Sequence, residues 1–462
     1  MRIALISPMW KVENSYPPLG LAYIGAVLEI DGHTVKIFDL TLEPKRPLES
    51  KMEEIVKFSP EIVGISAMSH SYDNAIKIAE ELKNKTEAKI VLGGPHPTIM
   101  PENVLQNEFV DFVIMGEGED TFLKMCQNLS TGKFHGIDGL CYKENGRIVI
   151  QPKNYFIADL DSIPFPARHL LRMSDYTLID DYGEKMATIV SSRGCPYRCT
   201  YCYKGLFGVS YRQRSFQNVI NEIKFCMKEF GYKSFYFVDD LFTMNAQRIK
   251  GLTDTIKEER LNIRWQCLAR VNNATPEMFK QMKEAGCYKI HFGIESGNQN
   301  IINKVQKAIT LDQVRNAVKY CKAAGIRTKG YFMLGLPGDT VDTMQNTIDF
   351  AEELQLGDAM FSITTPFPGT ELWNSIDKSK IVSLSDAFYR SLNSDDINIF
   401  YNVSDASNTD IMMMAKESCK ITDAIGAKLF CERKFGKTIG LFAWKMSKIP
   451  TIKKVGKTLM KA

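Results

Sequence analysis

The chain has 462 residues, 44% of them apolar, enough for roughly two to four domains with sizeable cores. A net charge of +4 is small for that length and gives no general case for a nucleic-acid partner. No run of about 20 apolar residues occurs, which argues against a membrane-spanning helix. The opening MRIALISPMW lacks the charged lead and cleavage site of an export signal, so the expected location is the cytoplasm.

In chain order, RIALISP reads as a strand, PPLGLAYIGAVLEIDG as a helix stopped by glycine, and HTVKIFDL as a second strand. The cycle repeats through EIVGISA, SYDNAIKIAEELKNK, AKIVLGGPHP and VDFVIMGEGEDTFLKMCQNL. Strands alternating with helices predict right-handed βαβ units and a doubly wound α/β domain over residues 1–135. Ligands of such sheets lie beyond the carboxyl ends of the strands. That nominates the loops Pro8–Gly20, Ser66–Asp73, Gly93–Thr98 and Gly116–Asp120, with Ser66, Gly93, Gly94, His96, Gly116 and Glu117 as candidate contacts. No G-x-G-x-x-G follows the first strand, which weighs against a dinucleotide. His70 and His96 fall in ligand loops, and His33 reads as a surface turn residue.

Residues 136–184 read as a linker. A third region, 185–375, alternates strands (MATIV, KSFYFVDD, NIRWQCLA, CYKIHFGIES, IRTKGYFMLG, DAMFSITTP) with helical segments. After residue 376 the strand pattern fades into a mixed loop bearing Phe388, Tyr389, Phe400 and Tyr401. These aromatics either close over a substrate or simply pack. A helical run from Asn408 to about Lys434 follows. Beyond Glu432 lie nine Lys or Arg and no acid, interleaved with apolar residues. That tail is either solvated or a peripheral contact with a membrane surface.

Of eleven cysteines, eight are scattered, mostly among apolar neighbours, and read as core residues. Cys195, Cys199 and Cys202 form C-x-x-x-C-x-x-C in a loop after a strand. Three thiolates suit three corners of a four-iron cluster and leave the fourth iron open. Structural zinc wants four ligands, and no nearby His or fourth Cys supplies one. From spacing alone, a purely structural cluster competes with a catalytic one.

The stretch SSRGCPYRCTYC closely resembles the radical S-adenosylmethionine superfamily, including Tyr201 before the last cysteine. The resemblance implies a partial (β/α)6 barrel over residues 185–375 and a 4Fe–4S cluster on Cys195, Cys199 and Cys202. The open iron would chelate the methionine moiety of S-adenosylmethionine, and an electron would split it to methionine and a 5′-deoxyadenosyl radical. Strand-end positions then imply Glu295 at the ribose hydroxyls and Arg270 at the carboxylate. Tyr201 and the loops at Gly335 and Thr365–Thr370 would line the adenine, and Asp239 and Ser296 would also bind S-adenosylmethionine. A Gly-Gly-Glu usual after the cysteines is replaced by Tyr203, Lys204 and Gly205, which leaves the binder of the amino group unassigned. Tyr203 and the RQR of YRQRSF are candidates to take part.

The ordered set PPLGLAYIGAVLE, GHTVKIFD, VGIS, GGPHPT and GEGE resembles the cobalamin-binding domain found ahead of radical S-adenosylmethionine domains. It implies cobalamin at the candidate loops above. The Asp-x-His-x-x-Gly of cobalamin mutases is absent, the loop reading SPMWKVENSYPPLG, so no lower cobalt ligand is assigned. The expected function is modification of an unactivated carbon, with methyl transfer favoured over ring formation as in the anaerobic magnesium-protoporphyrin monomethyl ester cyclase. A tRNA methylthiotransferase is disfavoured because no cysteine precedes Cys126. A cobalamin or redox sensor is disfavoured because it needs no open barrel. Expected partners are a small-molecule or lipid substrate and an electron donor such as ferredoxin or flavodoxin, in an anaerobic or protected cytoplasm.

Overall fold

The computed structural model describes residues 1–9, 16–42, 46–381 and 399–435. Its first layer is built from β1 (Arg2–Ser7), α1 (Leu19–Ile30), β2 (Thr34–Asp39), α2 (Leu48–Phe58), β3 (Ile62–Ser66) and α3 (Tyr72–Lys85). It continues with β4 (Lys89–Gly93), α4 (Pro95–Ile99), α5 (Pro101–Gln106), β5 (Phe112–Ile114), α6 (Glu119–Asn128), β6 (Leu140–Glu144) and β7 (Arg147–Val149). The sheet order is β2-β1-β3-β4-β5-β6-β7, parallel as far as β5 and antiparallel beyond. Chain order reverses between β1 and β3, so a crevice opens at their carboxyl ends. Along β1, Ile3 and Leu5 join one core while Ala4 and Ile6 join the other. Helices cover both faces, which is why these strands carry no polar alternation.

The second layer comprises β8 (Met186–Ile189), β9 (Ser192–Arg193), β10 (Arg212–Gln213), α7 (Phe216–Phe230), β11 (Ser234–Phe237), α8 (Ala246–Glu258), β12 (Arg264–Ala269) and α9 (Pro276–Glu284). Then come β13 (Cys287–Glu295), α10 (Gln299–Lys304), α11 (Leu311–Ala323), β14 (Arg327–Leu334), α12 (Val341–Glu353), β15 (Asp358–Ile363), α13 (Glu371–Asn374) and α14 (Asn408–Phe435). Six parallel strands in the order β8-β11-β12-β13-β14-β15 form the expected partial barrel. Its helices begin where side chains cap them: Ser215, Asn245, Thr275, Asn298, Thr310 and Thr340 each accept a backbone N–H of the first turn. On β13, Ile290, Phe292 and Ile294 enter the core, while Lys289 and His291 make polar contacts across the barrel. On β14, half-buried Lys329, Tyr331 and Met333 alternate with buried Thr328, Gly330, Phe332 and Leu334. The lumen is therefore polar and open on the side of β15, where Met360 is 46% exposed.

The stretch read as a linker contributes strands and buried side chains to both layers. Its β6 and β7 extend the first sheet, and Asp181 pairs with Lys289 and Arg327 in the barrel. Arg168 is buried, donating to Thr188 O at 2.7 Å and to Glu222 of α7 at 2.6 Å. Short strands and 3-10 turns carry too little periodicity to be read from sequence. Of the late aromatics, Phe400 stacks on Trp373 and the Tyr401 oxygen accepts Asp377 N–H at 3.2 Å, which is packing. Phe388, Tyr389 and the basic tail beyond residue 435 lie outside the described residues. Among the described residues, no helix is long and apolar enough to cross a membrane.

Glu222 neutralises two buried guanidiniums, Arg168 and Arg214. Substituting Glu222→Ala strands both charges in the core and is expected to cost about 3–5 kcal/mol. Chemical denaturation would show this as a lowered midpoint with an unchanged slope.

Candidate active site

The cysteine loop is locked before it reaches its first thiol. Asp239, just beyond β11, accepts Ser191 N–H at 2.6 Å and the hydroxyls of Ser191 and Ser192. Asp240 accepts Gly194 N–H at 3.3 Å. Gly194 has φ +83°, and a Cβ there would collide with the Ser210 carbonyl, so only glycine serves. Past the turn, Thr200 N–H donates to Val305 O at 3.1 Å and Thr200 O accepts Leu372 N–H at 2.9 Å. Cys199 is buried, Cys195 half-buried and Cys202 exposed. Among the described residues, no three His, Cys, Asp or Glu side chains converge on a single ion. Cluster thiolates bind separate irons, so a cubane does not ask them to meet at one point. Three thiols within eight residues of one anchored loop fit that group.

Around the loop the strand ends divide into two kinds. Arg270 places Nη1 3.7 Å from Cys199 Sγ, stacks its guanidinium 3.5 Å over the Tyr197 ring, and donates to Lys307 O. Glu295 at the end of β13 accepts Lys307 Nζ at 2.7 Å. Tyr201 packs against Ile301, Val305 and Leu336, and burial with the nearby Glu295 carboxylate pushes its phenol well up. These residues surround the cysteines. Asp239 belongs instead to the anchor of the loop, its oxygens taken by Ser191 and Ser192. Ser296 is likewise used by the fold, its hydroxyl 3.1 Å from Thr347 Oγ1 and accepting Asn298 N–H. Gly335, at φ +78°, turns the chain beneath Ile411 of α14. Lys307 and Asn272, which donates from Nδ2 to Tyr197 Oη at 2.9 Å, were invisible in the sequence, since no spacing links them to the cysteines; Tyr197 lies inside the cysteine motif, but nothing there pairs it with Arg270.

A cavity of about 530 Å³ occupies the crevice at the β1/β3 reversal. Ser66, Gly93, Gly94, Gly116 and Glu117 all line it, with His70 on its wall. Deep in the sheet it reaches Leu5, Gly64 and Phe122; opposite, it reaches Arg193, Leu206 and Phe207 of the cysteine region. Gly94 at φ +95° and Gly116 at φ +68° turn the backbone at the rim. A wide apolar cleft with a bare-backbone rim suits a large macrocycle with an appended tail, as cobalamin is. His96 does not line the cavity. It is buried, with Nδ1 3.2 Å from Ser69 Oγ and its ring stacked on Tyr72, and burial pushes its pKa down to about 4. His33 pairs with Asp31 beside the amino terminus.

Glu117 lines the cavity, but its carboxylate is spent on the barrel. It accepts Arg193 Nη1, Arg212 Nη1 and Ile157 N–H, each at 2.9 Å. Glu119 accepts Arg193 Nη2 at 2.6 Å. None of these four side chains is more than 9% exposed. Glu117 is thus a clamp between the layers, its partners lying 76 and 95 residues away in sequence.

At Gly93 an added Cβ meets nothing closer than 3.7 Å and no positive φ stands in the way. Gly93→Leu is therefore expected to narrow the cavity without unfolding the sheet. Titration with hydroxocobalamin, followed by absorbance, should show affinity down by about tenfold or more, with the iron content of the reconstituted protein unchanged.

The B12 binding domain family matches residues 9–125, and the Radical SAM superfamily matches residues 189–351. An uncharacterized methyltransferase of Pyrococcus horikoshii is 38% identical over 383 residues, covering 81% of this chain and 82% of its own. The cytidylyl-2-hydroxyethylphosphonate methyltransferase of Streptomyces wedmorensis is 30% identical over 431 residues, covering 81% and 80%. The fold is shared with the radical S-adenosylmethionine methyltransferase TsrM from Kitasatospora setae, solved with cobalamin and a 4Fe–4S cluster bound. That likeness has a TM-score of 0.69 at 20% identity and covers 80% of this chain and 73% of the other. With both cofactor domains matched in order and relatives of this length and identity, the chain belongs to the cobalamin-dependent radical S-adenosylmethionine enzymes, whose cofactors are the 4Fe–4S cluster, S-adenosylmethionine and cobalamin.

Proposed function

We propose that the chain is a methyltransferase acting on an unactivated carbon of a polar small molecule. The observation that carries this reading is the shared wall. One cavity is lined both by strand ends of the first sheet and by Arg193, Leu206 and Phe207 on either side of the cysteines, which supports a cobalamin site that reaches the loop carrying the cluster. When bound, the cluster and S-adenosylmethionine supply a hydrogen-abstracting radical, and cobalamin supplies the methyl group. The chain's part is to bind, orient and exclude water.

In this reading Cys195, Cys199 and Cys202 hold three irons, and Arg270 meets the carboxylate of S-adenosylmethionine. Glu295 meets the ribose hydroxyls, and Tyr201 lies along the adenine. Ser66, Gly93, Gly94 and Gly116 offer backbone and hydroxyl contacts to the corrin. The polar lumen favours a small hydrogen-bonding substrate over a lipid chain: His291 Nδ1 lies 3.1 Å from Tyr331 Oη and Nε2 lies 3.2 Å from Gln266 Oε1. The Streptomyces relative, named for a cytidylyl phosphonate, supports the same choice. Electrons come from an external low-potential donor of the ferredoxin or flavodoxin kind.

Methyl transfer consumes S-adenosylmethionine in two ways, one releasing S-adenosylhomocysteine and one releasing 5′-deoxyadenosine with methionine. Anaerobic holoenzyme with cobalamin, S-adenosylmethionine and a strong reductant is expected to release both nucleosides. Release of 5′-deoxyadenosine alone would overturn methyl transfer and leave radical oxidation. Alanine at Cys195, Cys199 or Cys202 is expected to abolish 5′-deoxyadenosine in the same assay.

A further inference from the structure

Seven described non-glycine residues have left-handed φ. Five of them, Ser59, Asn145, Arg260, Gln306 and Gln355, follow helix ends or sit in the β6–β7 hairpin, where such backbone is ordinary. The remaining two are Glu295 at φ +70° and Ala308 at φ +54°; the first is one member of an ion pair and the second follows the other member. Lys307 precedes Ala308, is 6% exposed, and donates from Nζ to Glu295 Oε1 at 2.7 Å. Strained backbone persists only where its surroundings over-determine it, and it concentrates at functional sites.

The surroundings are built for the pair. A Cβ on Gly293 would lie 2.6 Å from Glu295 Oε1 and 2.9 Å from Lys307 Nζ, so glycine leaves the room they share. The β13–β14 register slips between Gly293 and Glu295, which turns the carboxylate away from the regular ladder. Lys307 O accepts Arg270 Nη2, and the preceding Val305 O accepts Thr200 N–H of the cysteine loop at 3.1 Å. The ammonium also lies 5.9 Å from the Tyr201 ring centroid. Among the described hydrogen bonds none engages Glu295 Oε2. An ion pair buried for stability alone gains little over an apolar pair.

We infer that Lys307 is a positioning residue for S-adenosylmethionine: it holds Glu295 by one oxygen so that the other meets the ribose hydroxyls. This rests on the proposed ribose role of Glu295. Anaerobically reconstituted holoenzyme would be dialysed against radiolabelled S-adenosylmethionine and against its 2′,3′-dideoxyribose analogue. The perturbation of the reduced cluster's electron paramagnetic resonance signal by each gives a second readout. Wild type is expected to prefer the natural compound. Lys307→Met should weaken it about tenfold and erase the preference, Lys307→Arg should restore most of it, and Glu295→Gln should match Lys307→Met. A folded, iron-replete Lys307→Met that keeps the preference while Glu295→Gln loses it overturns the inference alone. If Glu295→Gln also keeps it, the ribose reading falls, and the inference with it. Should Lys307→Met not fold, Gly293→Ala crowds the same pair, and an unchanged preference in that variant overturns the inference.

Discussion

Two carboxylates after β5 and two guanidiniums flanking the cysteine loop meet away from water, and the relation of one cofactor site to the other depends on that meeting. Glu117 accepts from Arg193, Arg212 and Ile157, while Glu119 takes the second arm of Arg193. Such pairs add little to stability against an apolar replacement, but removing one partner leaves a buried charge. What they provide is registration. Arg193 stands two residues before Cys195, lies over the rings of Tyr23 and Phe207, and lines the cavity itself. The cavity wall and the cluster loop therefore share one side chain.

Behind that contact each layer contributes the part of its architecture that a ligand can reach. The first sheet reverses chain order between β1 and β3, leaving a cleft that no crossover helix covers. The barrel turns polar side chains inward because its helices need the apolar ones, and it stops at six strands, so its lumen stays open. The segment between the layers closes the structure from below through Asp181 and Arg168. Anchored loops on rigid strands are what a reaction with a hydrogen-abstracting radical requires, since a loose site would let the radical react with the protein.

Much of this was legible in the amino acids. All six barrel strands fall within segments whose apolar runs are bounded by turn residues, and α14 begins at the expected Asn408. The loops that line the cavity were nominated by their place after strands, and five of six candidate contacts there reach it. The sixth, His96, follows the same strand but turns into the core against Tyr72 and Ser69. A strand-end position tells which loop a residue is on, not which way its side chain points. Asp239 and Ser296 make the same point, for both sit at barrel strand ends and spend their oxygens within the fold.

By itself the sequence determined the three thiols, their order after a strand, the alternation that makes β1–β5 and the six barrel strands parallel, and hence the edge on which ligands gather. These are local properties, set by spacing and by the period of apolar residues. Tertiary structure alone decided that Glu117 pairs with two arginines of the barrel, that residues 136–184 are built into both layers, and that Lys307 meets Glu295. Each depends on partners brought together across the chain, where burial removes water and makes a charge choose its neighbour. No spacing in a linear sequence records that choice.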